Sequence, residues 1–273
     1  MKIAAVISVQ KAKFEAVVFK EDLEGSIERI ASLGFDGVEL AVRNPDVLKV
    51  EVIRDLVKSH GLVVPAIGTG QAYGEDGLSF ADPSETIRRE TRRRVRSHIE
   101  LASYLGGAPV IIGLIRGRVQ PGVTRKEALG WVQGELAEAA SYAASRGTSL
   151  VIEPINRYET DIVNTVDEAI ELIETVGKPN VGLLLDTFHM NIEEPDMLLS
   201  IRRAAPYIKH VHFADSNRWA PGCGHLDFAE ITRLLRDVGY EGFVSAEILP
   251  RPDPVKAVEA AAATMKWLRD FKV

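Results

Sequence analysis

The chain has 273 residues, 46% hydrophobic and 26% charged, with net charge −6 and a single cysteine. That length suits one α/β barrel better than two domains, and the composition supports a large core. The acidic balance argues against non-specific nucleic-acid binding; the lone Cys223 excludes an intrachain disulfide and fits a reducing cytoplasm; no run is long enough to span a membrane. The opening MKIAAVISVQKAK has an apolar stretch too short for a signal peptide. No Pro/Gly/Ser-rich linker or low-complexity segment marks a boundary, so residues 1–273 are expected to form a single domain.

In order, the chain alternates strand and helix. A first strand is expected over 3–8 and a helix over 22–33 that stops at Gly34. Strand two covers 35–40 and exposes Glu39; a helix over 46–60 closes at Gly61, a residue suited to a left-handed cap. Strand three, 62–67, opens into a glycine-rich loop over 68–77. A helix over 84–105 stops at Gly106 and Gly107, and strand four, 109–112, leads to Arg116 and Arg118. Leu129, Val132, Leu136, Ala140 and Ala143 give the helix over 124–146 one apolar face. Strand five is 149–152. Thr165 and Glu168 form a capping box for a helix that ends at Gly177. Strand six is the apolar run starting at Val181; a helix over 196–204, strand seven at 208–211, a helix over 227–238 and strand eight at 243–246 follow. The last helix takes Asp253 as N-cap and Pro254 as its first residue. Eight strand–helix pairs point to a (β/α)₈ barrel, with a doubly wound open sheet as the weaker alternative.

Four of these strands end in polar residues of one kind. Strand five runs into Glu153, strand six into Asp186 with His189 one turn later, strand seven into His212 and strand eight into Glu247. Active sites of such barrels lie at the C-terminal strand ends, so the four side chains are expected to converge. Three carboxylates and an imidazole make a mostly hard, oxygen-rich site for one divalent cation, Mn²⁺, Mg²⁺ or Co²⁺. Taken singly, a Glu or His at a strand end is usually a solvated loop residue; four at successive ends are harder to dismiss.

The strings VIEPINRYETDIVNT, LLLDTFHMNIEE, HVHFADSNRWAPGCGHLDF and FVSAEIL resemble the sugar isomerase/epimerase group of the xylose-isomerase-like barrels, above all the D-tagatose and D-psicose 3-epimerases. The likeness covers essentially the whole chain. It implies that Glu153, Asp186, His212 and Glu247 hold the metal, with Mn²⁺ favoured, and that Glu153 and Glu247 are the acid–base pair. It further implies that Glu159, His189 and Arg218 bind a ketose near its carbonyl end, and that the protein is a homodimer or homotetramer. The chemistry fits. Inverting C3 next to a C2 carbonyl needs charge stabilisation of an enediolate and one base on each side of a planar intermediate.

Weaker signals complete the reading. Glu39 either lines the pocket or hydrogen-bonds behind it. Tyr73 and Trp219 are candidates for an apolar wall over the far end of the sugar, or for packing between loops. Asp227 reads best as a helix cap, Cys223 as incidental, and the arginine-rich run 87–96 as a solvated helix face. Gly68-Thr69-Gly70 lacks the spacing of a dinucleotide fingerprint. Arg116 and Arg118 are unexpected in a neutral-sugar epimerase; as a fork for an anion they suggest a keto-hexonate such as 5-keto-L-gluconate or D-tagaturonate, or a sugar phosphate. The alternative is pairing with surface acids. Two rival functions are an endonuclease IV-like nuclease, opposed by the lack of histidines at strand ends three and four, and a non-catalytic sugar-binding barrel, opposed by the intact glutamate pair.

Overall fold

The computed structural model describes residues 1–20 and 22–270; residue 21 and residues 271–273 of the expected 1–273 unit lie outside the described residues. The apolar runs form eight parallel strands: β1 (Lys2–Ser8), β2 (Gly37–Ala41), β3 (Ile67–Gly68), β4 (Val110–Ile112), β5 (Leu150–Ile152), β6 (Val181–Asp186), β7 (Ile208–Phe213) and β8 (Phe243–Ala246). Each pairs with the next, and β8 pairs back onto β1 through Lys2–Phe243 to Ala5–Ala246. The sheet is thus a closed barrel with helices between successive strands, as expected.

Side chains alternate along a strand, and here the alternation sorts core from site. Ile112, Ile152, Leu183, Leu185, Val211, Phe213, Val244 and Ala246 join the large cluster shared with the helices. The intervening positions form a small separate cluster, Ala66, Ile111, Val151 and Leu184. Two residues further along the same face come Gly113, Glu153 and Asp186. A register shift between Leu183 and Leu184 brings His210 beside Leu184 and His212 beside Asp186.

Local signals explain the helices. The Thr124–Glu127 and Thr165–Glu168 capping boxes both form, and Gly177 closes its helix in the left-handed region. Asp227 caps Phe228–Asp237, and Asp253 accepts from the Lys256 N–H at the start of Pro254–Asp270.

Several expectations need correction. The loop over 68–77 contains a helix, Gly70–Asp76. Strand three is reduced to two residues, because Pro65 brings no N–H to the ladder. The expected helix 46–60 is a short turn, Pro45–Val47, followed by Val50–Ser59. A helix at Thr187–Glu193 and a short outer strand, Phe19–Lys20 beside β1, went unforeseen. Among the described residues no helix is long and apolar enough to cross a membrane.

Candidate metal centre and sugar cleft

The site forms where the inward faces of β5 to β8 end. Glu153, Asp186, His212 and Glu247 are all buried, and one ligand atom from each lies within 4.8 Å of the others. His212 Nδ1 stands 3.6 Å from Glu153 Oε1, 3.6 Å from Asp186 Oδ2 and 3.8 Å from Glu247 Oε2.

Backbone and side-chain bonds fix each of these groups. Asp186 ends β6 and also caps the helix Thr187–Glu193, its Oδ1 accepting from the Phe188 and His189 N–H groups. That leaves Oδ2 facing His212. On its other side His212 Nε2 donates to Glu39 Oε1 at 2.9 Å, while Glu39 Oε2 lies 2.7 Å from His210 Nε2. Glu39 therefore holds the Nε2 side of the ring and turns Nδ1 into the carboxylate cluster.

Gly113 gives Glu153 its room: a Cβ there would sit 2.4 Å from Glu153 Oε2.

The electrostatics favour a cation. Burial, with Glu153 and Asp186 alongside, pushes Glu247 up to about 8 against the pull of His212 and Arg218. Burial also opposes ionisation of Asp186 and Glu39, yet the surrounding imidazoles, with Arg218 beside Asp186, hold both carboxyls well below the usual range. For His212, burial is outweighed by Glu39 and then Glu247, which raise its affinity for a proton well above the ordinary imidazole value. His212 Nδ1 and Asp186 Oδ2 are nevertheless buried without a hydrogen-bond partner. Two orphaned donor atoms facing one point, in a set of three carboxylates and an imidazole, fit a divalent cation.

The expected sugar-binding groups surround this centre. Arg218, held at φ 61°, donates to Glu159 Oε1 at 3.0 Å and Glu247 Oε2 at 2.9 Å. Its guanidinium stacks on Phe188 and faces Phe14, with centroids at 4.9 and 5.8 Å. Burial lowers the basicity of His189 despite nearby Asp186 and so favours the uncharged ring. Asn156 Nδ2 reaches His189 Nδ1 at 2.7 Å, and Asn156 Oδ1 accepts from Tyr158 N–H, which fixes the amide orientation. His189 Nδ1 is then the acceptor, and Nε2–H, 4.0 Å from Glu153 Oε1, is the donor turned toward the site. Asn156 was missed in the sequence, although it stands inside the EPINRYE string.

Glu153, Glu159, His189, Arg218 and Glu247 line one cleft of about 490 Å³, open solvent included. Its apolar wall comes from Val6, Phe14, Leu114 and Ile155 and not from Tyr73 or Trp219. Tyr73 is half-buried on the helix Gly70–Asp76, whose Gln71 lines the cleft instead. Trp219 is half-buried in a turn pinned through its backbone to Asp215 and Asn217.

The arginine fork is also corrected. Arg116 is fully buried and donates to the carbonyls of Ile162, Gly113, Glu153 and Val163 at 2.7–2.9 Å. It braces Val163, a β-branched residue at φ 59°, against the end of β5. Burial pushes Arg116 down to about 10. Arg118 is exposed and lines no part of the cleft. The sequence marks that an arginine follows strand four, not which way it turns.

Comparison with known proteins places the chain in a family. A family model described as the xylose isomerase-like TIM barrel matches residues 27–271. A ketose 3-epimerase of Arthrobacter globiformis is 30% identical over 90% of this chain and 83% of its own length. A 3-dehydro-D-guloside 4-epimerase of Escherichia coli is 30% identical over 92% of this chain and 95% of its own. Among solved structures, a D-allulose 3-epimerase from Methylomonas sp. superposes with TM-score 0.84 at 26% identity, covering 98% of both chains. The chain belongs to the xylose isomerase-like TIM barrel family.

Proposed function

We propose that this protein is a divalent-metal-dependent ketose 3-epimerase. One observation carries the reading: Glu153 and Glu247 reach the same imidazole nitrogen from β5 and β8, strands separated by β6 and β7. A substrate at that point has one carboxylate on either side, the arrangement that inversion of a planar intermediate requires. Glu153, Asp186, His212 and Glu247 would hold the cation, Mn²⁺ for preference. When bound, it supplies the positive charge that makes the C3 proton removable.

The chain's own groups do the rest. One glutamate removes the C3 proton and the other returns one to the opposite face. His189 donates through Nε2–H to the carbonyl oxygen, Arg218 and Glu159 orient hydroxyls, and Phe14 with Phe188 shields the Arg218–Glu247 contact from water. The same reading makes the protein a homo-oligomer of the cytoplasm, to which the exposed free thiol of Cys223 is suited.

The test is proton exchange. With Mn²⁺ in D₂O, D-tagatose, D-psicose or L-ribulose should gain deuterium at C3, and EDTA should stop it. No exchange with any ketose, charged or neutral, sinks the reading. A second reading, 4-epimerisation of a 3-keto sugar, draws on the match along 95% of the Escherichia coli 4-epimerase. Its signature is deuterium at C4.

A further inference from the structure

We propose that Gln71 reads the far end of the sugar: its Oε1 accepts a hydrogen bond from the terminal hydroxyl of the bound ketose. The cleft thereby selects a neutral, hydroxyl-terminated chain over the corresponding acid or phosphate. This rests on the ketose reading above.

Gln71 lines the cleft, is 2% exposed and follows β3, across the barrel from the carboxylate cluster of β5 to β8. The orientation of its amide is fixed by a chain of donors. The Ser8 hydroxyl gives its proton to the Gln10 carbonyl at 2.5 Å, so Ser8 Oγ is left as an acceptor. Gln71 Nε2 donates to that oxygen at 2.8 Å. The carbonyl oxygen of the amide is therefore the free end, and Gln71 Oε1 is buried without a protein partner. A buried acceptor without a partner, in the wall of a ligand cleft, asks for a donor from the ligand.

The surroundings leave space for it. A Cβ on Gly70 would meet nothing within 4 Å, and the Thr69 hydroxyl is already donated to the Ile111 carbonyl. Gln71 lines the same cleft as Glu153 and Glu247, so a ketose held at the carboxylate cluster shares one space with it.

Charge then decides what the end of that chain is. Among the described residues lining the cleft, Arg218 is the one permanent cation, and it is bound to Glu159 and Glu247. Arg116 is enclosed by carbonyls and Arg118 points elsewhere. A terminal carboxylate or phosphate beside Gln71 would face another acceptor and no counter-charge. A hydroxyl brings the proton that Gln71 Oε1 lacks.

The experiment crosses enzyme and substrate. Steady-state KM and kcat are measured for a ketohexose, its 6-deoxy counterpart and its 6-phosphate, on wild type and Q71M, with thermal midpoints as a check of folding. Wild type should prefer the ketohexose over the 6-deoxy sugar by about tenfold in kcat/KM, chiefly through KM, and should handle the 6-phosphate worse than either. In Q71M the preference over the 6-deoxy sugar should collapse to near one. Equal losses on both sugars would mean that Gln71 only supports the wall, and would overturn the proposal. Wild-type indifference to the deoxy change, or preference for the phosphate, overturns it without any variant. A wild type that turns over no ketose fails the ketose reading itself, and this proposal with it.

Discussion

The two halves of the barrel rim are built from different chemistry. From β5 to β8, every strand ends in an ionisable side chain, and the buried groups hold one another through Glu39, Asp186 and Arg218. From β1 to β4 the lining includes Val6, Ala41, Gly68, Gly70 and Gly113, with Glu39, Thr69 and Gln71 as its polar members. One half concentrates charge at a point; the other leaves room. On the proposed reading the acid–base carboxylates belong to one half and the group that reads the far end of the sugar to the other, so variants on the two halves should give different kinetic signatures.

Breaking the charged half should have the largest effect. Glu153→Gln and Glu247→Gln are nearly isosteric but cannot take up the proton, and each should cost about 10²–10⁴-fold in kcat with the thermal midpoint little changed. Near-normal turnover by either would remove that residue from the acid–base pair.

Arg116 and Arg118 sharpen the contrast between a brace and a bystander. Arg116→Met strips the carbonyls of Gly113, Glu153, Ile162 and Val163 of their donor, and denaturant unfolding should report a loss of about 3–5 kcal/mol. Arg118→Ala should leave both stability and kcat/KM within error, on charged and neutral sugars alike.

Glycines on the open half divide in the same way. Gly113→Ala places a methyl against Glu153 Oε2 and should lower kcat by about tenfold by displacing that carboxylate. Gly70→Ala meets no protein atom but takes up cleft space, so it should act through KM and leave the kcat step, far from Glu153, largely untouched. If the two variants behave alike, close approach to Glu153 is not what requires glycine at 113.

How much of this was legible in the sequence follows from what strands encode. An apolar run that stops at a carboxylate marks a strand end, and barrel topology then fixes where it points; Glu153, Asp186, His212 and Glu247 could be named from that alone. Side-chain direction in loops has no such rule. Arg116 follows β4 in a short turn that folds it inward behind Glu153, and nothing in IIGLIRGR distinguishes that from an arginine facing the cleft. The helix Gly70–Asp76 was hidden by its own glycines, and with it Gln71. The helix Thr187–Glu193 was hidden because Asp186 serves at once as strand end and N-cap. Glu39 looked ambiguous because its partners, His210 and His212, are more than 170 residues away, at 171 and 173 positions.

The most direct test of the metal centre is a titration of chelator-treated protein with Mn²⁺, read by calorimetry and by elemental analysis after dialysis. One ion per chain is expected for wild type, with binding lost or weakened by orders of magnitude in Asp186→Asn, whose Oδ2 is the buried oxygen left for a cation. Wild type that binds no Mn²⁺, or Asp186→Asn that binds it as tightly, would contradict a metal centre on this rim.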